Sequence, residues 1–207
     1  MAVEAAWERF QTTLSELVQE LRWLRAPVQH AVEVRGSVAK RMVLACWPHR
    51  EQFITPMAAV AGAVAERVGK ALLAETPQVI VENGGDVFLS TSHPRVAAVF
   101  AGASPLTGRI GIQLTRVNEP LGLCTSSGTV GPSLSFGRAD AAIVLAGSAA
   151  LADAAATALG NRIQTADDIE RAVNVVRFFP GVLGAMAVVS ESFGAWGEIE
   201  LVRVEWD

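Results

Sequence analysis

The four residues N-G-G-D at positions 83–86 constrain the fold more than any other stretch of this chain. They stand between two apolar runs, QVIV before and VFL after, and a two-glycine turn between such runs is a hairpin signal. Two neighbouring strands therefore pair antiparallel. Asn83 and Asp86, one on each side of the turn, also have side chains suited to pointing at a ligand.

Around this hairpin the chain alternates short apolar runs with helical patterns. Trp7, Phe10, Leu14, Leu17, Val18, Leu21 and Leu24 recur at intervals of three and four, which predicts an amphipathic leading helix within residues 1–27, stopped by Arg25 and Pro27. Such a helix either covers the domain or packs on a second subunit to give a homo-oligomer, and covering is the simpler expectation. Residues 31–47 read as two strands, AVEV and RMVLACW, with RGS at the bend. His49 follows in a polar connection and is expected at the surface. Thr55 suits an N-cap with Pro56 at the first helical position. The small residues Ala58, Ala59, Ala61, Gly62 and Ala63 then favour close packing on the sheet or close approach of a flat ligand.

Strands are expected at 95–101 and 109–114, with a further apolar strand within 122–161, and DDIERAVNVVRFF reads as a helix ended by Pro180 and Gly181. VLGAMAVVS and EIELVRVEW supply two last strands. In the second, the alternation changes phase at Leu201 and Val202, through to Trp206, which suggests a bulge. Roughly nine strands and four helices, with tight turns among the strands, give an α+β fold of mixed and antiparallel sheets with packed helices. At 207 residues one domain is expected.

Composition removes several classes of function. With 17 basic and 21 acidic residues the net charge is −4, so nothing favours nucleic acid, and Arg35, Lys40 and Arg41 read as a solvated face. Mean hydropathy is +0.34, yet the charge-free run at 120–137 is rich in Gly, Ser and Thr, and the apolar run at 141–152 is too short to span a bilayer. No membrane segment is expected. Glu4, Glu8 and Arg9 stand where a secretory signal needs a basic start and an apolar block, so a cytoplasmic location is expected. Cys46 and Cys124 suit small buried positions. The two Cys and three His (His30, His49, His93) lack zinc spacing, and G-x-S-x-G, Walker and G-x-G-x-x-G patterns are missing.

The stretch at 122–161 carries the chemistry. Thr125, Ser126, Ser127 and Gly128 form a small polar loop able to offer amides and hydroxyls to a phosphate. A second loop, 131–137, and an apolar strand lead to an Ala-rich helix holding Asp153 and Thr157 four apart. That spacing puts a carboxylate and a hydroxyl on one face, a hard oxygen pair suited to Mg²⁺, although an Asp near a helix start also answers the helix dipole. Ser126 or Ser127 as nucleophile would need a base brought by folding.

Taken in order, strand, NGGD, strand, TSSG, AD-A-IVLA and LADAAATALGN resemble the ApbE-like superfamily, whose best-known members are FAD:protein FMN transferases, and more nearly its UPF0280 branch. The resemblance rests on residues 55–63, 83–86 and 125–141 and covers 31–189, leaving 190–207 as a closing strand. It implies an α+β fold that binds FAD or another flavin nucleotide in a crevice. Asn83, Gly84, Gly85 and Asp86 would line that crevice, Thr125, Ser126, Ser127 and Gly128 would lie against it, and Asp153 and Thr157 would hold Mg²⁺.

Two departures bear on activity. The transferases carry His-Ile-x-Asp-Pro after the Ser-Gly loop where this chain has Pro132, Ser133, Leu134, Ser135 and Phe136, and they carry a Lys where it has Ala61 and Gly62. Without those basic groups classical FMN transfer is disfavoured, and no catalytic residue is assigned. Binding of a nucleotide or small anionic metabolite ranks first, a Mg-dependent transferase second, and an assembly protein third.

Overall fold

Among the described residues, 2–29, 32–131 and 134–205 of a computed structural model, nine strands form two antiparallel sheets. The larger contains β1 (Val79–Asn83), β2 (Asp86–Ser90), β5 (Leu121–Ser126), β6 (Ala141–Ala146), β7 (Val182–Val189) and β8 (Ser192–Gly197), hydrogen-bonded in that order. The smaller has the order β3 (Arg95–Ala98), β4 (Ile110–Leu114), β9 (Glu200–Arg203). The α+β architecture of the sequence reading is thus observed. The hairpin joins β1 to β2 as expected, with Asn83 opposite Asp86 and both turn glycines at positive φ, 66° and 98°, which only glycine adopts without strain.

The helices are α1 (Ala2–Gln19), α2 (Leu21–Leu24), α3 (Ser37–Cys46), α4 (Val60–Leu72), α5 (Ala149–Asn161) and α6 (Ile169–Val176), with single 3-10 turns at Trp47–Gln52, Pro56–Ala59 and Ala166–Asp168. No helix among the described residues is long and apolar enough to cross a membrane.

The alanines of α5 follow from its place between two layers. Ala152, Ala155, Ala156 and Leu159 pack with Val144, Ala146 and Phe88 of the large sheet, while Ala150, Ala154 and Ala158 pack with Met42, Ala45 and Ala63 of α3 and α4. A helix covered all round is apolar all round. β6 is buried at all six positions for the same reason: Ala142 and Val144 face α5, whereas Ile143 and Leu145 meet Ile112 and Leu114 of the small sheet.

Several expectations are corrected. Residues 37–46 form a helix, not a strand: Val38, Met42 and Ala45 are buried at helical spacing while Leu44 is exposed, a pattern masked in the sequence by the unbroken apolar run MVLAC. The first expected strand, AVEV, begins at Ala31, outside the described residues, and residues 32–35 form no strand. β9 pairs with β4 in constant register from Glu200 to Arg203, so no bulge lies at Leu201 and Val202; the irregularity falls instead between Leu145 and Ala146. Trp206, the end of that alternation, lies outside the described residues. β8 was not foreseen, since its SFGAWG sequence is rich in glycine. The leading helix breaks at Glu20, and its stripe is only half covered: Leu17 and Leu24 are buried but Trp7 and Val18 are exposed.

Candidate functional site

The small residues at the start of α4 serve close packing, but against α5 rather than the sheet. A Cβ on Gly62 would run into the Ala149 carbonyl and the Asp153 side chain, and one on Gly122 of β5 would strike the backbone of Ala149 from the other side. The start of α5 is therefore clamped between α4 and β5. At this distance each helix supplies a carboxylate to the other's exposed first-turn amides, groups that always need an acceptor. Asp153 of α5 accepts the Gly62 N–H (2.9 Å) at the start of α4, and Glu66 of α4 accepts the Ala150 N–H (3.3 Å) at the start of α5.

The two carboxylates differ in their surroundings. Glu66, 2% exposed, also accepts from Arg41 (2.6 Å), Lys70 (2.5 Å) and the Ser148 hydroxyl (2.6 Å). Burial pushes its pKa up, but the Lys70 and Ser148 hydrogen bonds and the charges of Arg41 and Lys70 prevail, leaving it below the ordinary glutamate value. Asp153, 9% exposed, has no Lys or Arg partner among the described residues. Burial first, and then the charge of Asp86, hold its pKa well above the ordinary range against the pull of the Gly62 and Ala61 amides.

Asp86 enters from the hairpin and is 6% exposed. Burial lifts its pKa to about 7, with the Cys124 thiol and the Thr125 amide pulling down and Glu82 pushing up. Its Oδ1 is buried without a hydrogen-bond partner. Across the turn, Asn83 Nδ2 donates to the Ala61 carbonyl (3.2 Å), tying β1 to the first turn of α4. Cys124 donates to the Ala149 carbonyl (3.3 Å), and burial pushes its thiol far up, so it stays protonated. Asn83 and Asp153 thus meet the first turn of α4, Asp86 stands opposite Asn83 across the hairpin with the Thr125 amide upon it and Asp153 as a charged neighbour, and Thr157 is one turn along α5 from Asp153.

The remaining candidates lie at the edge of this cluster. Gly84 and Gly85 are exposed at the hairpin tip. Ser126 lies beside Gly160, farther along α5. Ser127 is spent on its own loop: its Oγ accepts the Thr129 (3.1 Å) and Val130 (2.9 Å) amides. Gly128 donates to the Ala139 carbonyl (2.8 Å), and its Cα packs so closely on Gly137 that no side chain fits. In the second loop, Phe136 donates its amide to Asn161 Oδ1 (2.9 Å), while Pro132 and Ser133 lie outside the described residues.

His49, expected at the surface, is 1% exposed on the 3-10 turn at 47–52, edge-on to Phe179 at 4.3 Å. Burial, helped by the charge of Arg162, lowers its pKa to about 4, so it is neutral. His93 is exposed beside Ser92, and His30 lies outside the described residues. Neither described histidine acts on Asp86 or Asp153. Both cysteines are buried, as their residue type suggests. Sequence reasoning missed Glu66, whose only local signal is the Glu66/Lys70 spacing of four on α4.

Residues 1–191 match the family described as AbpE bacteria. A UPF0280 protein of Methanocella arvoryzae is 39% identical over 83% of this chain and 69% of its own length. One from Methanosarcina acetivorans is 40% identical over 82% of this chain and 66% of its own, so the chain spans about two thirds of these relatives. Among solved structures, the flavinyl transferase ApbE of Pseudomonas stutzeri in its apo form aligns over 70% of this chain and 48% of that one, with 17% identity and a TM-score of 0.47. The flavin transferase ApbE of Vibrio cholerae aligns over 90% and 74%, with 15% identity and a TM-score of 0.48. The chain belongs to the AbpE bacteria family, in the UPF0280 branch of the ApbE-like superfamily.

Proposed function

We propose that this chain binds a flavin nucleotide, or a related nucleotide diphosphate, in the crevice between the hairpin turn, the end of β5 and the facing starts of α4 and α5. The observation that carries the reading is the meeting of Asn83 and Asp153 at the first turn of α4, with the buried Asp86 opposite Asn83 across the hairpin and a charged neighbour of Asp153. Three segments separated in sequence have no packing reason to bring two carboxylates together without a counter-charge, because burying such groups is costly.

The donor set fits Mg²⁺. Asp153 and Thr157 offer a carboxylate and a hydroxyl one turn apart on a helix, both hard oxygen ligands, and no side-chain cation competes for Asp153 among the described residues. Asp153 and Thr157 would hold the ion. When bound, it neutralises the charge of a diphosphate.

The chain's own groups orient the rest. The exposed glycine tip of the hairpin lets a flat ring approach the backbone, and Asn83 fixes the hairpin on α4. The Ser126 hydroxyl, beside Gly160, would offer a donor to a phosphate oxygen extending along α5. The transferases' histidine and lysine have no counterpart at the matching positions of this sequence, so binding without FMN transfer is the expected behaviour. Calorimetric titration with FAD, FMN and ADP in Mg²⁺ tests this. Binding of at least one, with no AMP released from FAD, is expected; flat titrations with all three would overturn it, and AMP formation would move the protein to the transferases.

A further inference from the structure

We infer that Asp86 is a direct ligand of the cation, so that the ion bridges the β1–β2 hairpin to α5 and binds before any nucleotide arrives. This deepens the proposed reading of the same crevice and rests on its cation, not on the identity of its nucleotide.

The geometry is specific. Asp86 is 6% exposed, and its Oδ1 is the only buried carboxylate oxygen among the described residues left without a hydrogen-bond partner. Buried polar atoms are nearly always paired, and an unpaired one calls for an explanation such as an ion. Asp86 is paired with Asn83 across the hairpin, on the face from which Asn83 reaches the Ala61 carbonyl, and Asp153, the other buried aspartate among the described residues, caps the next amide of α4 with only backbone amides as hydrogen-bond partners and Asp86 as its charged neighbour. Asp153 on the start of α4 with Asp86 as its charged neighbour leaves an excess of negative charge, since a helix N-terminus carries roughly half a positive charge.

Elsewhere in the molecule the equivalent burden is met by side chains. Glu66 has Arg41, Lys70 and Ser148 around its carboxylate. No Lys or Arg reaches Asp86 among the described residues.

The surrounding chemistry selects the ion. Cys124 is engaged as a hydrogen-bond donor to the Ala149 carbonyl (3.3 Å). The ligands are oxygens, which suit Mg²⁺ or Mn²⁺. Two charged ligands raise affinity for a divalent ion above that of one, so a nucleotide phosphate is not needed to complete the charge.

The test uses the full chain, stripped of metal with a chelator and titrated with Mn²⁺ in the absence of nucleotide, free Mn²⁺ being followed by electron paramagnetic resonance. The wild type is expected to take up Mn²⁺ in competition with Mg²⁺. Asp86→Asn and Asp153→Asn should each weaken uptake at least about tenfold, a loss of the size seen when metal-site partners are removed. Thermal melts guard against misfolding: metal-free Asp86→Asn should melt no lower than the wild type, and only the wild type should gain stability with Mn²⁺. Uptake by Asp86→Asn equal to the wild type, with Asp153→Asn defective, would overturn the inference and place the ion on α5 alone. No uptake by the wild type would also overturn it. A wild type that takes Mn²⁺ but no FAD, FMN or ADP would instead uphold the cation site and remove the nucleotide reading.

Discussion

The two buried carboxylates at the α4–α5 crossing do the same structural task and have opposite electrostatics. Glu66 caps the start of α5 inside a shell of Arg41, Lys70 and Ser148. Asp153 caps the start of α4 with a second acid, Asp86, as its charged neighbour. The first is closed: every demand of the charge is met by the chain. The second has no Lys or Arg partner among the described residues, and that difference, more than any motif, is what the proposed cation site rests on.

Substitutions can break this contrast or sharpen it. The largest effect is expected from Gly62→Ala, which pries the helix starts apart and disturbs both caps. A loss of about 3 kcal/mol should appear in urea denaturation. Next comes Glu66→Gln, which keeps an acceptor for Ala150 but strips two cations of their partner. Since Arg41 and Lys70 are 40% and 46% exposed and can rehydrate, the loss should be about 2 kcal/mol, less than for a fully buried pair. The matching change at the other cap, Asp153→Asn, keeps the acceptor for Gly62 and removes an uncompensated charge. Metal-free stability should move by less than about 0.5 kcal/mol, whereas Asp153→Ala should lose about 1 kcal/mol with the cap. Equal losses in the two amide variants would dissolve the contrast.

The smallest effect is a difference in slope with pH. The pKa of Glu66 is lowered by folding, so its stabilisation is complete above the ordinary glutamate value and is lost as the pH falls through the folded value. That of Asp86 is raised, so its contribution is present at pH below about 3.8, the ordinary value, and is lost as the pH rises toward about 7. Metal-free Asp86→Asn should therefore lose less stability than the wild type between those pH values. Denaturation at several pH values in chelator would show the two curves converging at the acid end, and parallel curves would contradict the assignment.

Much of the fold was legible because its signals are local. The N-G-G-D turn specifies its own backbone, and the fully apolar β6 and Ala-rich α5 announce elements buried on both sides. Residues 37–46 were misread because an apolar run without breaks fits either period. The segments of the candidate site were legible as a set of motifs, but their meeting point was not. Two helix starts are capped by acids distant in sequence, α4 by Asp153 and α5 by Glu66, and Glu20 takes the Arg35 and Gly36 amides just ahead of α3. Local capping rules look only a few residues along the chain. They find the box between Thr165 and Asp168, and are silent on the others.

The exchange of caps between α4 and α5 also has a temporal side. Asp153 lies 91 positions after Gly62, and Ala150 lies 84 after Glu66. During synthesis α4 leaves the ribosome with its first turn frayed and the acid of Glu66 unspent, and neither is resolved until six further strands and α5 have emerged. Contacts of such long range are slow to form and leave intermediates exposed, so the nascent amino-terminal half is the stretch a chaperone would have to shield.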